Sequence, residues 1–203
     1  MKHLLLLRHG ETAHSSEGRY SGRVDYPLSE RGRDQARSWR PLVEGLPIGL
    51  VIASPLSRAH ETALLAGFAG VTIDERASEW DLGELEGLKA EDFRRENPSW
   101  SLVVDGPPHH SGESTAEVRE RARSLVAMIE ERSSDDVAVV VSHGQFLRVL
   151  ATELLGLPLA TASSLSLGPA HLAIVSRRAR GLSLTGWNLS SHPDRDGLLT
   201  DLT

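Results

Sequence analysis

The chain has 203 residues, a formal net charge of −6 and no cysteine. The acidic balance excludes the basic footprint of a nucleic-acid binder, and the missing cysteines remove disulfides, thiol catalysis and the usual structural zinc sites together. No stretch approaches the roughly 18 apolar residues of a membrane span, and Arg8 breaks the N-terminal apolar run before it reaches the length of a secretory signal, so a cytoplasmic protein with no membrane partner is expected. The length suffices for a core without covalent staples, and a single domain over residues 1–203 is the expectation.

In chain order, Lys2 to Leu7 reads as a buried strand, because strands of parallel sheets appear as short continuous apolar runs. Residues 13–28 are polar, with Gly18, Gly22 and Pro27, and read as a loop. Ser29 is placed to cap a helix that carries Ala36, Trp39, Leu42 and Val43 on one face and stops at Gly45 and Pro47. Gly49–Ala53 is a second buried strand, and Ser54-Pro55 turns it into a helix with Arg58 in its first turn. Val71–Ile73 is a short third strand. Residues 75–112 lack a strand pattern and are too long for a plain connection, so they are expected to be an insertion covering a site. Ser114 and Glu117 have capping-box spacing at the head of a helix running to about Arg132. Val137–Val141 is the clearest strand, Gln145–Leu155 the next helix, and Gly156 and Pro158 close it. His171–Ser176 and Leu182–Trp187 form a hairpin about the Arg177–Gly181 turn, and 190–203 is a tail. Strands alternating with helices predict a three-layer α/β/α domain whose central sheet is mostly parallel with an antiparallel edge strand.

Two of these strands end alike, in Arg8-His9-Gly10 and Ser142-His143-Gly144. In a parallel sheet the carboxyl ends share one edge, which is where ligands bind. Arg58 follows a third strand to that same edge. Each residue alone has an ordinary reading, a strand terminator or a surface ion-pair partner. Two arginines, two histidines and helix N-termini together make an anion pocket, and the planar fork of arginine suits phosphate oxygens. A metal site is not expected: there is no His-Glu-x-x-His, and His109-His110 is an adjacent pair in a loop. Walker, dinucleotide and Gly-x-Ser-x-Gly motifs are also missing.

Arg8-His9-Gly10-Glu11-Thr12, Asp25-Tyr26-Pro27-Leu28-Ser29-Glu30-Arg31-Gly32 and Ser54-Pro55-Leu56-Ser57-Arg58-Ala59 resemble, in that order, segments of the histidine phosphatase superfamily. Glu79-Trp80-Asp81-Leu82-Gly83-Glu84-Leu85-Glu86-Gly87 looks like its acid-base segment, and Gly112-Glu113-Ser114 and Val141-Ser142-His143-Gly144 complete the set. The wording around Trp80 is closest to small bacterial acid phosphatases of the family. The resemblance implies a phosphoglycerate mutase-like fold and a metal-independent phosphatase that acts, without a cofactor, on small phosphorylated metabolites. His9 would carry the phosphoryl group, Glu79 would be the acid and base, and Arg8, Arg58 and His143 would hold phosphoryl oxygens. The backbone of Gly144 and Gln145 would add N–H donors, and Ser21 and Gly22 match a small-residue loop lining the pocket. Sequence position does not exclude Glu84 in place of Glu79. Many relatives carry asparagine six residues after the nucleophile; Ser15 stands there in this chain and is shorter. Trp80, Phe93, Trp100, His109 and His110 either shape the specificity side or are ordinary packing and loop residues. Two other functions stay open, a phosphoglycerate mutase and a phosphate-binding regulatory module without turnover. Mutases of the family tend to have a longer acid-base region. The oligomeric state is open too, a homodimer among its options.

Overall fold

The apolar runs of the sequence lie side by side in the computed structural model, which describes residues 1–132 and 137–191. In chain order the elements are β1 (His3–Arg8), α1 (Ala13–Ser16), α2 (Glu30–Arg37), α3 (Arg40–Val43), β2 (Ile48–Ala53), α4 (Ser57–Leu65) and β3 (Val71–Ile73). They continue with α5 (Ala90–Glu96), α6 (Leu102–Asp105), α7 (Thr115–Arg132), β4 (Val137–Ser142), α8 (Gly144–Leu155), β5 (Leu172–Arg178) and β6 (Gly181–Leu189). The six strands form one sheet in the order β3-β2-β4-β1-β5-β6. The first four are mutually parallel, β5 runs antiparallel to β1, and β6 runs antiparallel to β5.

Alternation along each strand builds two cores. Leu4, Leu6, Ile52, Ala138 and Val140 face α7 and α8, which return Leu125, Ile129, Phe146 and Leu150. Leu5, Leu7, Val51, Val139 and Val141 face the other way, toward Trp39, Val43, Ala59 and Ala63. The sheet is covered on both sides, which is why its strands read as unbroken apolar runs. This is the three-layer arrangement expected from the sequence.

Local signals explain the helix starts. The Ser29 hydroxyl accepts from the Gly32 N–H at 3.0 Å. The Ser114 N–H donates to the Glu117 carboxylate at 2.8 Å while the Glu117 N–H donates back to the Ser114 hydroxyl at 3.3 Å, the reciprocal box the spacing predicts. α8 ends in Gly156 with φ 64°, a left-handed cap.

Three expectations need correction. The single helix over 29–43 is two, α2 and α3, because Pro41 has no N–H to continue the first ladder and is tolerated only in a new first turn. The loop over 13–28 contains α1, capped by Thr12 and Ser15 on each other's backbone. The final hairpin turns more tightly than the sequence indicates, its strands reaching Arg178 and restarting at Gly181. Residues 75–112 hold no strand; they comprise α5, α6 and 3-10 turns at Glu75–Ala77, Gly83–Leu85 and Pro108–His110. Apart from residues 190 and 191, the tail lies outside the described residues. Among the described residues no helix is long and apolar enough to cross a membrane.

One buried hydrogen bond ties the helical layer to the strand ends. The Trp39 indole N–H donates to the Ala170 carbonyl at 2.7 Å, and the Ala170 N–H donates to the His9 carbonyl at 2.9 Å. Trp39→Phe keeps most of the buried ring but leaves that carbonyl without its donor, so urea denaturation is expected to show a loss of about 1–3 kcal/mol. An unchanged midpoint would mean that the indole N–H carries no weight there.

Candidate functional site

β1 and β4 pair in parallel with Arg8 opposite Ser142, so His9 and His143 leave the sheet at the same level. The His9 N–H donates to the Ser142 carbonyl at 2.9 Å, and the imidazole ring centroids lie 5.1 Å apart. β2 ends one step away, opposite Val141, and delivers Ser54 to the same edge. Gly10 makes room rather than a turn: a Cβ there would lie 2.3 Å from the Gly32 carbonyl oxygen, so the strand exit and α2 touch through bare backbone.

The His9 ring is buried and fixed. Its Nδ1 is 2.7 Å from the Gly10 carbonyl, an acceptor only, so Nδ1 carries the hydrogen and Nε2 the lone pair. Burial, and then the Arg58 and Arg8 cations, hold its pKa well below the ordinary histidine value. His143 is fully buried and shifted the same way, again first by burial. Its Nδ1 accepts from the Arg58 Nε–H at 3.2 Å, and its Nε2–H donates to the Ser54 hydroxyl at 2.7 Å.

Arg58 is almost wholly buried, its side chain 1% exposed. The loop over 22–25 wraps it: its guanidinium donates to the Gly22 and Val24 carbonyls at 2.9 and 2.8 Å, and Asp25 lies 3.7 Å away. Asp25 also caps α4 by accepting from the Ser57 N–H and hydroxyl at 3.0 Å. Arg8 donates to the Leu167 carbonyl at 2.6 Å, while its buried Nε–H has no acceptor among the described residues. Burial lowers the Arg8 pKa to about 10.

Glu79 reaches this edge from the 3-10 turn region and is 7% exposed. Its carboxylate accepts from the backbone N–H groups of Trp80 (2.9 Å), Phe146 (2.8 Å) and Gln145 (3.2 Å), the last two at the α8 N-terminus. Its backbone is clamped as well. Arg121 donates to the Arg76, Ser78 and Glu79 carbonyls and pairs through two nitrogens with Glu113 at 2.7 and 2.6 Å. Glu84 lies elsewhere, half-exposed or more and paired with His109 at 3.0 Å, so of the two carboxylates the sequence leaves open, it is Glu79 that shares a cavity with His9.

A cavity of about 240 Å3 opens on these groups, lined by Arg8, His9, Arg58 and Glu79. Ser15, Ser21, Gly144 and Gln145 line it too; His143 and Gly22 do not. His143 stands behind His9 with both ring nitrogens engaged, and Gly22 acts through its carbonyl on Arg58. A Cβ on Gly22 would also strike the Glu86 carboxylate at 1.8 Å. The Ser15 hydroxyl is committed to α1, donating to the Thr12 carbonyl at 3.0 Å and accepting the Thr12 N–H at 2.9 Å. Gly144 lets α8 begin against Arg8, whose Cζ would be 3.2 Å from a Cβ there. Sequence reasoning missed Arg148, Arg19, Tyr20 and Ser166, which also line the cavity. The signal for Arg148 is helical spacing: it lies one turn beyond Gly144, and its Nε–H donates to the Gly144 carbonyl at 3.1 Å. Trp80 is core, fully buried with its indole N–H on the Glu113 carbonyl at 2.6 Å. Among the described residues no three His, Asp or Glu side chains gather as a metal would require.

Because both imidazoles are held neutral, they bind fewer protons in the folded than in the unfolded chain below about pH 6.5. Stability is therefore expected to be full above the ordinary histidine pKa and to fall as the pH drops below it. His143→Asn removes one such group, and its unfolding free energy should fall less steeply between pH 6.5 and 5, by up to about 1.4 kcal/mol per pH unit. Parallel profiles for the two proteins would contradict the burial account.

Known proteins resemble this chain over nearly its whole length. The family model of the histidine phosphatase superfamily (branch 1) matches residues 4–190. An acid phosphatase of Mycobacterium tuberculosis (strain ATCC 25618 / H37Rv) is 38% identical over 192 residues, 94% of either chain. A probable phosphoglycerate mutase of Erwinia tasmaniensis is 32% identical over 96% of this chain and 94% of its own. The solved structure of the open reading frame Rv3214 from Mycobacterium tuberculosis superposes with a TM-score of 0.87 at 38% identity, over 94% of this chain and 99% of that one. With its phosphoglycerate mutase-like fold and a family match spanning nearly its whole length, the chain belongs to the histidine phosphatase superfamily.

Proposed function

We propose that the protein is a metal-independent phosphomonoester hydrolase that works through a phosphohistidine on His9. The observation that carries this reading is a tautomer. With the hydrogen on Nδ1 and donated to the Gly10 carbonyl, Nε2 presents a lone pair to a cavity lined by Arg8 and Arg58. A neutral imidazole so held is a nucleophile at and below neutral pH.

In the first half-reaction Nε2 attacks phosphorus in line, the P–O bond to the alcohol breaks, and Glu79 in its acid form gives the leaving oxygen a proton. In the second, the Glu79 carboxylate takes a proton from water as that water attacks the phosphohistidine, which releases inorganic phosphate and restores Nε2. Arg8 and Arg58 stabilise charge on the equatorial oxygens during both transfers. His143 acts through Arg58 and the neighbouring ring, not by facing the cavity. Ser21, Gly144 and Gln145 complete the cavity lining around the phosphate, the Gln145 N–H being donated to Glu79 rather than left for phosphate as the resemblance implied, and Ser15 contributes by holding α1 in shape. The stretch over 75–112 supplies Glu79 and Leu82 to the cavity wall, which supports reading it as a cover within a single-domain chain. A mutase is the second reading, favoured by the similarity to a probable phosphoglycerate mutase. Incubation with 3-phosphoglycerate and a bisphosphoglycerate primer separates the two, isomerised product marking a mutase and free phosphate a phosphatase.

His9→Ala is expected to lower kcat/KM by at least about three orders of magnitude and to abolish an acid-labile, alkali-stable phosphoenzyme label. Full activity in that variant would overturn the reading. Glu79→Gln should slow hydrolysis of alkyl phosphates by about 10²–10⁴ and that of p-nitrophenyl phosphate far less, since nitrophenolate leaves without a proton. Equal losses on both substrates would remove Glu79 from the acid role. EDTA should leave turnover unchanged; its loss on chelation would require a metal.

A further inference from the structure

Beside the phosphate cavity lies a second of about 300 Å3, which shares Tyr20, Gln145, Arg148 and Ser166 with the first and is walled on its far side by α5 and α6. Arg148 stands at the junction. It is held from α8 by its bonds to the Gly144 carbonyl and the Gln145 side chain. Across the space is Arg94 of α5. No carboxylate lines this cavity. Carboxylates nearby in sequence are used elsewhere: Asp92 pairs with Arg95 at 2.7 Å, and Asp105 accepts the Ser101 N–H at 2.7 Å. Arg94 has no ion pair among the described residues. It lies near enough to Arg148 that its charge, after burial and against the opposing effect of Glu79, helps to lower the Arg148 pKa. The wall is braced as well: Phe93 and Trp100 meet edge-to-face at 4.9 Å, and the Trp100 N–H donates to the Gly106 carbonyl at 3.1 Å.

Two like charges facing one partly enclosed space repel each other, and an anion between them relieves that repulsion. We propose that Arg94 and Arg148 form a second anion-binding site, and that the substrate is a phosphomonoester whose alcohol part carries a further anionic group, a carboxylate or a second phosphate. The scissile phosphate occupies the His9 cavity and the second anion reaches over Gln145 to the arginine pair. The inference rests on the phosphatase reading for the place of the first phosphate, and it names the class of leaving group that the reading leaves open. Ser101, Ser163 and Ser166 line the same space beside Trp100, Leu102 and Val103, polar partners for the oxygens of a small acid or sugar acid next to an apolar wall.

Direct binding tests this without turnover. Calorimetric titrations would compare ω-carboxyalkylphosphonates of increasing spacer length, the matching bisphosphonates, and alkylphosphonates of the same length that lack the second anion. One spacer length is expected to bind about tenfold tighter than its alkyl counterpart, as a charge-assisted contact at a partly open site would give. The carboxylate and bisphosphonate arms identify which anion fits. Arg94→Ala should erase most of that preference, Arg94→Lys should keep it, and added salt should weaken it. Equal affinity for the two kinds of probe in the unaltered protein, or a preference untouched by Arg94→Ala, would overturn the proposal. Absence of phosphate release from every ester, with the binding preference intact, would sink the phosphatase reading and leave the second anion site standing.

Discussion

The parallel pairing of β1 with β4 is the constraint on which the site depends. Register in a sheet is discrete: a slip by one residue would turn every core side chain of the strand to the opposite face. Leu4 to Leu7 and Val137 to Val141 are buried on both faces, and matched lengths of apolar run set Arg8 level with Ser142. The ends of the two strands then have no freedom to separate the histidines. β2 joins the same ladder with Ala53 opposite Val141, which brings Ser54 to His143 and starts α4, with Arg58, on the same rim.

The rim concentrates buried positive and neutral-imidazole groups, and the fold meets the cost of burying them chiefly with backbone oxygens. Arg58 is held by carbonyls of the 22–25 loop, Arg8 by the Leu167 carbonyl, and the Glu79 segment by Arg121 acting on successive carbonyls. Carbonyls orient a guanidinium without cancelling its charge, so the cavity keeps a positive potential with its donors already aimed. A direct carboxylate partner for each arginine would stabilise the ion pairs and leave less attraction for phosphate. Asp25, at 3.7 Å and partly exposed, is a weaker counter-charge of that kind. Burial first, and the same positive field after it, hold both imidazoles neutral, so nucleophile and anion trap share one environment.

The stretch over 75–112 sets the outer boundary. It delivers Glu79 to the histidines, and through α5 and α6 it walls the adjoining cavity. Its short elements seat Ala77, Trp80, Leu82, Leu85, Leu102 and Val103 in the core at irregular spacing, with Phe93 against Trp100, rather than through a periodic apolar face. A segment built this way has no repeating signal to read, although it decides what lies beside the phosphate.

The sequence by itself determined the layers, the strand ends and the identity of the groups at them, because long apolar runs, capping residues and breakers act locally and repeat with known periods. Ser29, Ser114 and Gly156 did in the structure what their spacing indicated. Pro41 broke the helix over 29–43 for an equally local reason. Only the tertiary structure decided between Glu79 and Glu84 and moved His143 behind His9, whereas Ser15 is held to α1 locally, by Thr12 three positions back. The tertiary structure also brought Arg148 and Arg94 to one cavity. Those outcomes depend on which group a side chain meets across 66 to 159 positions of chain, and such distant pairings leave no mark in the order of residues.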